Sequence, residues 1–371
     1  MAVERRKMAR KTKRPMSSVE FLETLVCAPG PSTFEGPASA VWRDYLLQAG
    51  IPSETDIHGN STAIVNPSGS PSIMLAAHID TIGFMVRHID DDDPALDPLF
   101  CVSQIGGIDT AIALGQEVIV LAEGQPVPGV IGMRPTHLED DDDEEDPFRL
   151  YVDVGASDRD ALERMAPIGT PIIFKPRFGR LLGNRIFGTG LDNRLGAWCV
   201  AEAMCRLATS PDCSARVCAV ATVQEETGLA GARMACERLR PDLAVVVDVT
   251  FGIDTPNLSR RQHGNVRIGK GPVIAVGGAA HPLASRIMCD LAYEGKIPVQ
   301  REAMAGAEGG TETDEIFKTG GGVLSGLVMV PTRYMHTPVE LAQLDDAEKT
   351  TDLLVSYCER APGLLATWKR P

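Results

Sequence analysis

Val217-Cys218-Ala219-Val220-Ala221-Thr222-Val223-Gln224-Glu225-Glu226-Thr227-Gly228 is the stretch that decides the fold of this chain. A short apolar run ends in two adjacent carboxylates, and Gly228 and Gly231 follow at once. Such a run, bounded by glycines, reads as a buried strand that ends in a loop. Neighbouring side chains at a strand end point in different directions. One carboxylate can then bind a metal while the other faces a bound water. In isolation the pair reads more readily as two solvated acids after a strand. The rest of the chain tips the balance, because other acids and histidines stand at the ends of similar runs.

Upstream, Ser72-Ile73-Met74-Leu75-Ala76-Ala77-His78-Ile79-Asp80 is a second apolar strand, ending in His-x-Asp. Residues two apart on an extended chain share a face. His78 can therefore ligate a metal through one ring nitrogen while Asp80 accepts a hydrogen bond from the other, which fixes the tautomer. Downstream, Leu243-Ala244-Val245-Val246-Val247-Asp248 is a third strand ending in an acid. Three strands (72–77, 217–223 and 243–247) thus deliver His, Glu and Asp at their C-terminal ends. In open α/β sheets that edge is where ligands bind. Asp192, in Gly190-Leu191-Asp192-Asn193-Arg194-Leu195-Gly196, precedes a helical pattern over 195–207. It reads either as an N-cap or as a carboxylate free to bridge two cations. A strand over 323–330 leads into Pro331-Thr332-Arg333-Tyr334-Met335-His336-Thr337-Pro338-Val339-Glu340.

Around this frame, apolar spacing predicts helices over 17–27, with Ser18 as N-cap, over 36–48, over 230–239, and from about 345 to 359. A strand with a Gly59-Asn60 turn is expected over 56–65. From 83 to 182 the texture changes to short β-type runs broken by Gly and Pro, which reads as an inserted all-β unit. The expected architecture is therefore α/β. A mixed-sheet domain over 17–82 and 183–371 carries helices on both faces, and a barrel-like β domain is inserted over 83–182. Residues 1–16 read as a disordered basic arm, with seven Lys or Arg in the first fifteen positions. The acidic run 139–146 reads as an exposed loop of like charges and lacks EF-hand spacing.

Composition narrows the function classes. The formal net charge of −14 argues against a nucleic-acid binder. No apolar run of about 18 residues suggests a membrane span. The nine cysteines include no CxxC pair and sit mostly in apolar surroundings, as expected of reduced thiols in a cytoplasmic protein.

His78, Asp192, Glu226, Asp248 and His336 form a donor set that suits zinc, cobalt or manganese. If Asp192 bridges, each of two ions receives one His, one oxygen of Asp192 and one further carboxylate. That is the make-up of a two-metal hydrolase. Glu225, left unligated, would be the general base.

These residues carry a resemblance. The stretches AAHIDTIGFMV (76–86), IGGIDTAIALGQEV (105–118), GLDNRLGA (190–197), VQEETGLAGA (223–232), VVDVT (246–250) and PTRYMHTPVE (331–340) resemble the glutamyl and deblocking (tetrahedral) aminopeptidase family, some of whose members carry the label endoglucanase. They recur in family order across roughly 18–360. The resemblance implies that His78 and His336 each bind one metal, that Asp192 bridges, and that Glu226 and Asp248 complete the two spheres. It implies Glu225 as base and Asp80 as the residue that orients His78. It further implies a metalloaminopeptidase acting on short peptides, with two divalent ions per chain. It implies the family's fold, an α/β domain with a barrel-like insert, and a homo-oligomer, since members of the family commonly assemble into tetrahedral dodecamers. The alternatives weighed beside it are a two-metal amidohydrolase of acylated amino acids and a non-catalytic assembly protein. The chain departs from the family at Thr81, where an acid is common, and at Gly309-Gly310-Thr311-Glu312-Thr313, where GGTDA is usual. The acids Glu312, Asp314 and Glu315 in this loop suggest that a basic or neutral N-terminal residue is preferred over an acidic one.

Overall fold

Alternation along the strand Ser72–His78 sets the layering. Ile73, Leu75 and Ala77 enter one apolar cluster, and Met74 and Ala76 enter another on the opposite side. Val245 and Val247 divide from Ala244 and Val246 in the same way. A strand with both faces apolar requires cover on both faces, and the computed structural model supplies it. It describes residues 16–90, 96–132, 150–305 and 310–367. The basic segment 1–15 and the acidic run 139–146 lie outside them.

Among the described residues the large sheet has 11 strands. Its centre is parallel: Arg216–Thr222 pairs with Ser72–His78, which pairs with Leu243–Phe251, which pairs with Leu324–Arg333. Thr222 lies opposite His78. Ala76 lies opposite Val246, and two more residues along each strand set Asp248 level with His78. All four strands therefore end at one edge, and the site residues lie there or just beyond it.

The helices Ser18–Cys27, Gly36–Gln48, Leu191–Leu207, Pro282–Glu294 and Leu344–Thr367 pack on one face around Trp42, Leu195, Ile287 and Leu353. Ala230–Leu239 covers the other face through Ala232, Ala235 and Cys236. Full burial of a Leu- or Ile-sized side chain stabilises by about 1.5–3 kcal/mol, so these two interfaces carry most of the domain's apolar stabilisation. None of these helices is long and apolar enough to cross a membrane.

Local differences from expectation have local causes. Ser17 rather than Ser18 caps the first helix, because Ser17 and Glu20 form a reciprocal capping box. The strand expected over 56–65 is confined to Ser61–Val65. Asp56 Oδ1 accepts the amides of His58, Gly59 and Asn60 and turns the chain there.

The inserted unit is a closed antiparallel barrel in the order Gly83–Asp90, Leu99–Ile105, Tyr151–Asp153, Val127–Gly132, Glu117–Val120 and Pro171–Phe174. Its interior is filled by residues such as Phe84, Phe100, Val118 and Phe174, with Phe84 and Phe174 edge to face at 5.2 Å. It is not purely β: Asp158 caps a helix over Arg159–Met165. Phe178–Leu181, within the span 83–182, pairs with Arg185–Gly188 in the large sheet and not in the barrel.

Candidate active site

His78, Asp192, Glu225, Glu226, Asp248 and His336 line one cleft. Asp192 sits at its centre. His78 Nε2 lies 3.2 Å from Asp192 Oδ1, and His336 Nε2 lies 3.4 Å from Asp192 Oδ2. The two imidazoles thus face different oxygens of one carboxylate. Asp248 Oδ1 is 3.7 Å from His78 Nε2, and Glu226 Oε2 is 3.4 Å from His336 Nε2.

These separations fit metal ions. Donors about 2.0–2.1 Å from a tetrahedral ion are about 3.4 Å from one another. The donor atoms of His78, Asp192 and Glu226 lie within 4.8 Å of one another, as do those of His78, Glu225 and Asp248. Glu226 Oε1 is buried without a hydrogen-bond partner. A buried carboxylate oxygen left bare is costly unless a cation meets it.

The electrostatics say the same. Burial pushes the Glu225 carboxyl up to about 9, helped by the charges of Asp248, Glu312 and Asp192 and opposed by His78. Burial pushes Asp248 up to about 7, and raises Glu226 well above the usual range. Burial would also raise Asp192, but hydrogen bonds from His336 and His78 outweigh it and hold that carboxyl well below its usual value. Four carboxylates around two imidazoles leave uncompensated negative charge, which divalent cations would relieve.

The local backbone shows how the sequence places each group. Asp192 and Asn193 have non-helical dihedrals at the start of Leu191–Leu207. The N-cap alternative for Asp192 fails: Asn193 Oδ1 accepts the Gly196 amide instead, which leaves the Asp192 carboxylate free. Asp80 faces His78 Nδ1 at 3.4 Å. Its Oδ1 and Oδ2 also accept the amides of Glu225 and Glu226, each at 3.1 Å. One buried acid therefore ties the ends of two neighbouring strands together. By distance alone Glu225 Oε2, also 3.7 Å from His78 Nε2, is as near as Asp248. The barrel contributes as well. Gly106 has φ +75°, and a Cβ there would meet Glu226 Oε2 at 3.2 Å, so the loop after Leu99–Ile105 approaches the site as only glycine permits.

Three acids behave differently from the sequence expectation. Of the loop around 310, Gly310 and Thr311 line the cleft. Glu312 is fully buried, Asp314 accepts the Gly310 amide, and Glu315 pairs with Lys318 at 2.9 Å. Sequence reasoning also passed over Glu340, whose carboxylate is buried and holds site backbone. The signal was an acid four residues after His336, inside the quoted stretch 331–340. It passed over Glu302 too, which lines the cleft from a short marginal strand with little apolar patterning.

Histidines and carboxylates gathered at the carboxyl edge of a parallel sheet make the protein a metal-dependent hydrolase by class. Residues 59–353 match the M42 glutamyl aminopeptidase family, so the chain belongs to that family and is a metal-dependent aminopeptidase that hydrolyses peptide bonds. It is 33% identical to the lysyl aminopeptidase of Pyrococcus furiosus over 92% of this chain and 96% of that one. Among solved structures, an aminopeptidase from the archaeon Desulfurococcus kamchatkensis superimposes with a TM-score of 0.86 at 30% identity, covering 95% of this chain and 98% of that one. The TET1 peptidase of Pyrococcus horikoshii, which can assemble into a tetrahedron or a large octahedral shell, gives 0.78 at 28% identity, covering 92% and 99%.

Proposed function

We propose that this aminopeptidase holds two divalent cations, zinc or cobalt with manganese as a further fit, and removes single residues from the N-termini of short peptides. The observation that carries the reading is that His78 Nε2 and His336 Nε2 face separate oxygens of Asp192. His78, Asp192 Oδ1 and Asp248 would hold one ion, and His336, Asp192 Oδ2 and Glu226 the other. Ions held by these residues would lower the pKa of a bound water and polarise the scissile carbonyl. Asp80, whose Oδ1 lies 3.4 Å from Nδ1, is placed to orient the imidazole so that Nε2 is the nitrogen left for ligation. Glu225 takes the attacking water's proton on its carboxylate. As the carbon–nitrogen bond breaks, it releases the proton to the leaving amine.

Chelator-treated protein, reloaded and analysed for metal content, tests the reading. Two ions per active chain are expected, and His336→Ala should keep one ion and lose most activity. Full activity with a single ion would overturn the paired site.

We infer further that the chain forms a homo-oligomer, such as a tetrahedral dodecamer, with contacts built by the barrel unit. The shell-forming relative supports this. A cytoplasmic setting is supported by nine free cysteines.

A further inference from the structure

The cleft carries one acid that neither metal ligation nor proton transfer uses. Glu302 lies on the strand Gln300–Ala303, which pairs with Val273–Val276 at the margin of the large sheet. Its Oε2 accepts a hydrogen bond from Thr250 Oγ1 at 2.7 Å. Thr250 follows Asp248 by two positions on the strand Leu243–Phe251, so both side chains leave the same face. At about 3.3 Å of rise per residue, the two positions are about 7 Å apart. Glu302 therefore stands roughly one long side chain away from the Asp248 end of the site.

The wall around it is apolar. Phe251, Met304, Met329 and Met335 line the same cleft. A neighbouring cavity of about 710 Å³ shares Phe251 and Glu302, is lined also by Ile253, Leu258, Gln262, His263 and Arg301, and carries the slot past the carboxylate. Glu302 is half-buried, and burial raises its pKa against the Thr250 hydrogen bond, with no cation contributing. Among the described residues no Lys or Arg forms an ion pair with it. A largely apolar stretch of cleft leading from the metal-site end to a carboxylate without an ion-pair partner suits a long aliphatic stem with a cationic tip. The exposed Phe251 ring can add a cation–π contact. The same carboxylate repels an acidic side chain, so attraction and rejection act together.

We propose that Glu302 selects a basic N-terminal residue, lysine or arginine, by pairing with its side-chain cation. The proposal rests on the aminopeptidase reading above. Glu302 acts on specificity and takes no part in the bond-breaking step.

Aminoacyl p-nitroanilides of lysine, arginine, norleucine and glutamate test it on the metal-loaded full chain. Norleucine keeps the aliphatic stem of lysine and lacks the charge. The wild type should cleave lysine and arginine about 10–100-fold more efficiently than norleucine in kcat/KM, the scale of one charge-assisted hydrogen bond. Glutamate should be poorest. Glu302→Gln should bring the lysine-to-norleucine ratio near one, and Glu302→Lys should invert the order of lysine and glutamate. Equal wild-type turnover of lysine and norleucine would overturn the assignment. So would an equal loss on both in Glu302→Gln, which would mean that Glu302 holds the α-ammonium group common to all substrates. Release from none of the four would instead overturn the aminopeptidase reading, and this proposal with it.

Discussion

The backbone amide of Asp192 donates to Glu340 Oε2 at 2.9 Å, across 148 residues of sequence. The other oxygen of the same carboxylate accepts the amide of His336 at 2.9 Å. Glu340 is buried and opens the strand Glu340–Gln343, so one acid fixes the backbone of the central carboxylate and of one imidazole together.

Glu340→Ala should weaken metal binding without removing a ligand. Loss of a group that orients metal ligands costs about 10–100-fold in affinity. Titrating metal into chelator-treated protein measures it. Glu340→Gln keeps one acceptor oxygen and should recover part of the loss. Wild-type affinity in the alanine variant would remove Glu340 from the site.

Glu225 and Glu226 should separate in their effects. Glu225→Gln cannot accept the water's proton, and kcat should fall by about 10²–10⁴-fold, the usual contribution of a positioned base. Metal content and KM should change little. Glu226→Gln should lose metal as well as turnover. If Glu225→Gln strips an ion and Glu226→Gln keeps both, the two roles are exchanged.

Arg194 is fully buried, and burial pushes its guanidinium down to about 10. It donates to the carbonyls of Leu25, Val26 and Ala28 at the end of the first helix, and to Ile79 just before Asp80. Leu25 O also accepts the Ala28 amide, but the carbonyls of Val26 and Ala28 lie past the last helical bond, so the arginine acts as a C-terminal cap from another element. Arg194→Met should leave them unsatisfied and cost about 2–5 kcal/mol, read as a lower unfolding midpoint. An unchanged midpoint would show that water replaces the guanidinium at no cost.

Light scattering at micromolar concentration should find a particle much larger than one chain. A form lacking the barrel residues 83–174, with the sheet strand Phe178–Leu181 kept, should be smaller. A monomeric intact protein would defeat the barrel-contact reading.

What was legible in the sequence was local. Apolar alternation over 72–77, 217–223 and 243–247 marked the strands, because a strand covered on both faces has little choice of composition. The residues at or just beyond their ends, His78, Glu225, Glu226 and Asp248, followed directly. Asp192 and His336 came from their quoted stretches, and the distances now place all six in one cleft. The limits were equally local in origin. Ser17 took the cap from Ser18 because a glutamate three residues on completed a reciprocal pair. Asn193, not Asp192, capped the following helix.

The sequence by itself thus determined which side chains arrive at the sheet edge, since strand periodicity and strand ends are written in adjacent residues. Only the tertiary structure decided their neighbours. Strand order places Ser72–His78 between Arg216–Thr222 and Leu243–Phe251, which makes His78 share Asp192 with His336. It also decided that Glu302 faces the cleft while Glu312 is buried. Those contacts join segments far apart in the chain. Their geometry depends on how two packed faces and a closed barrel meet, and no short window of sequence holds that information.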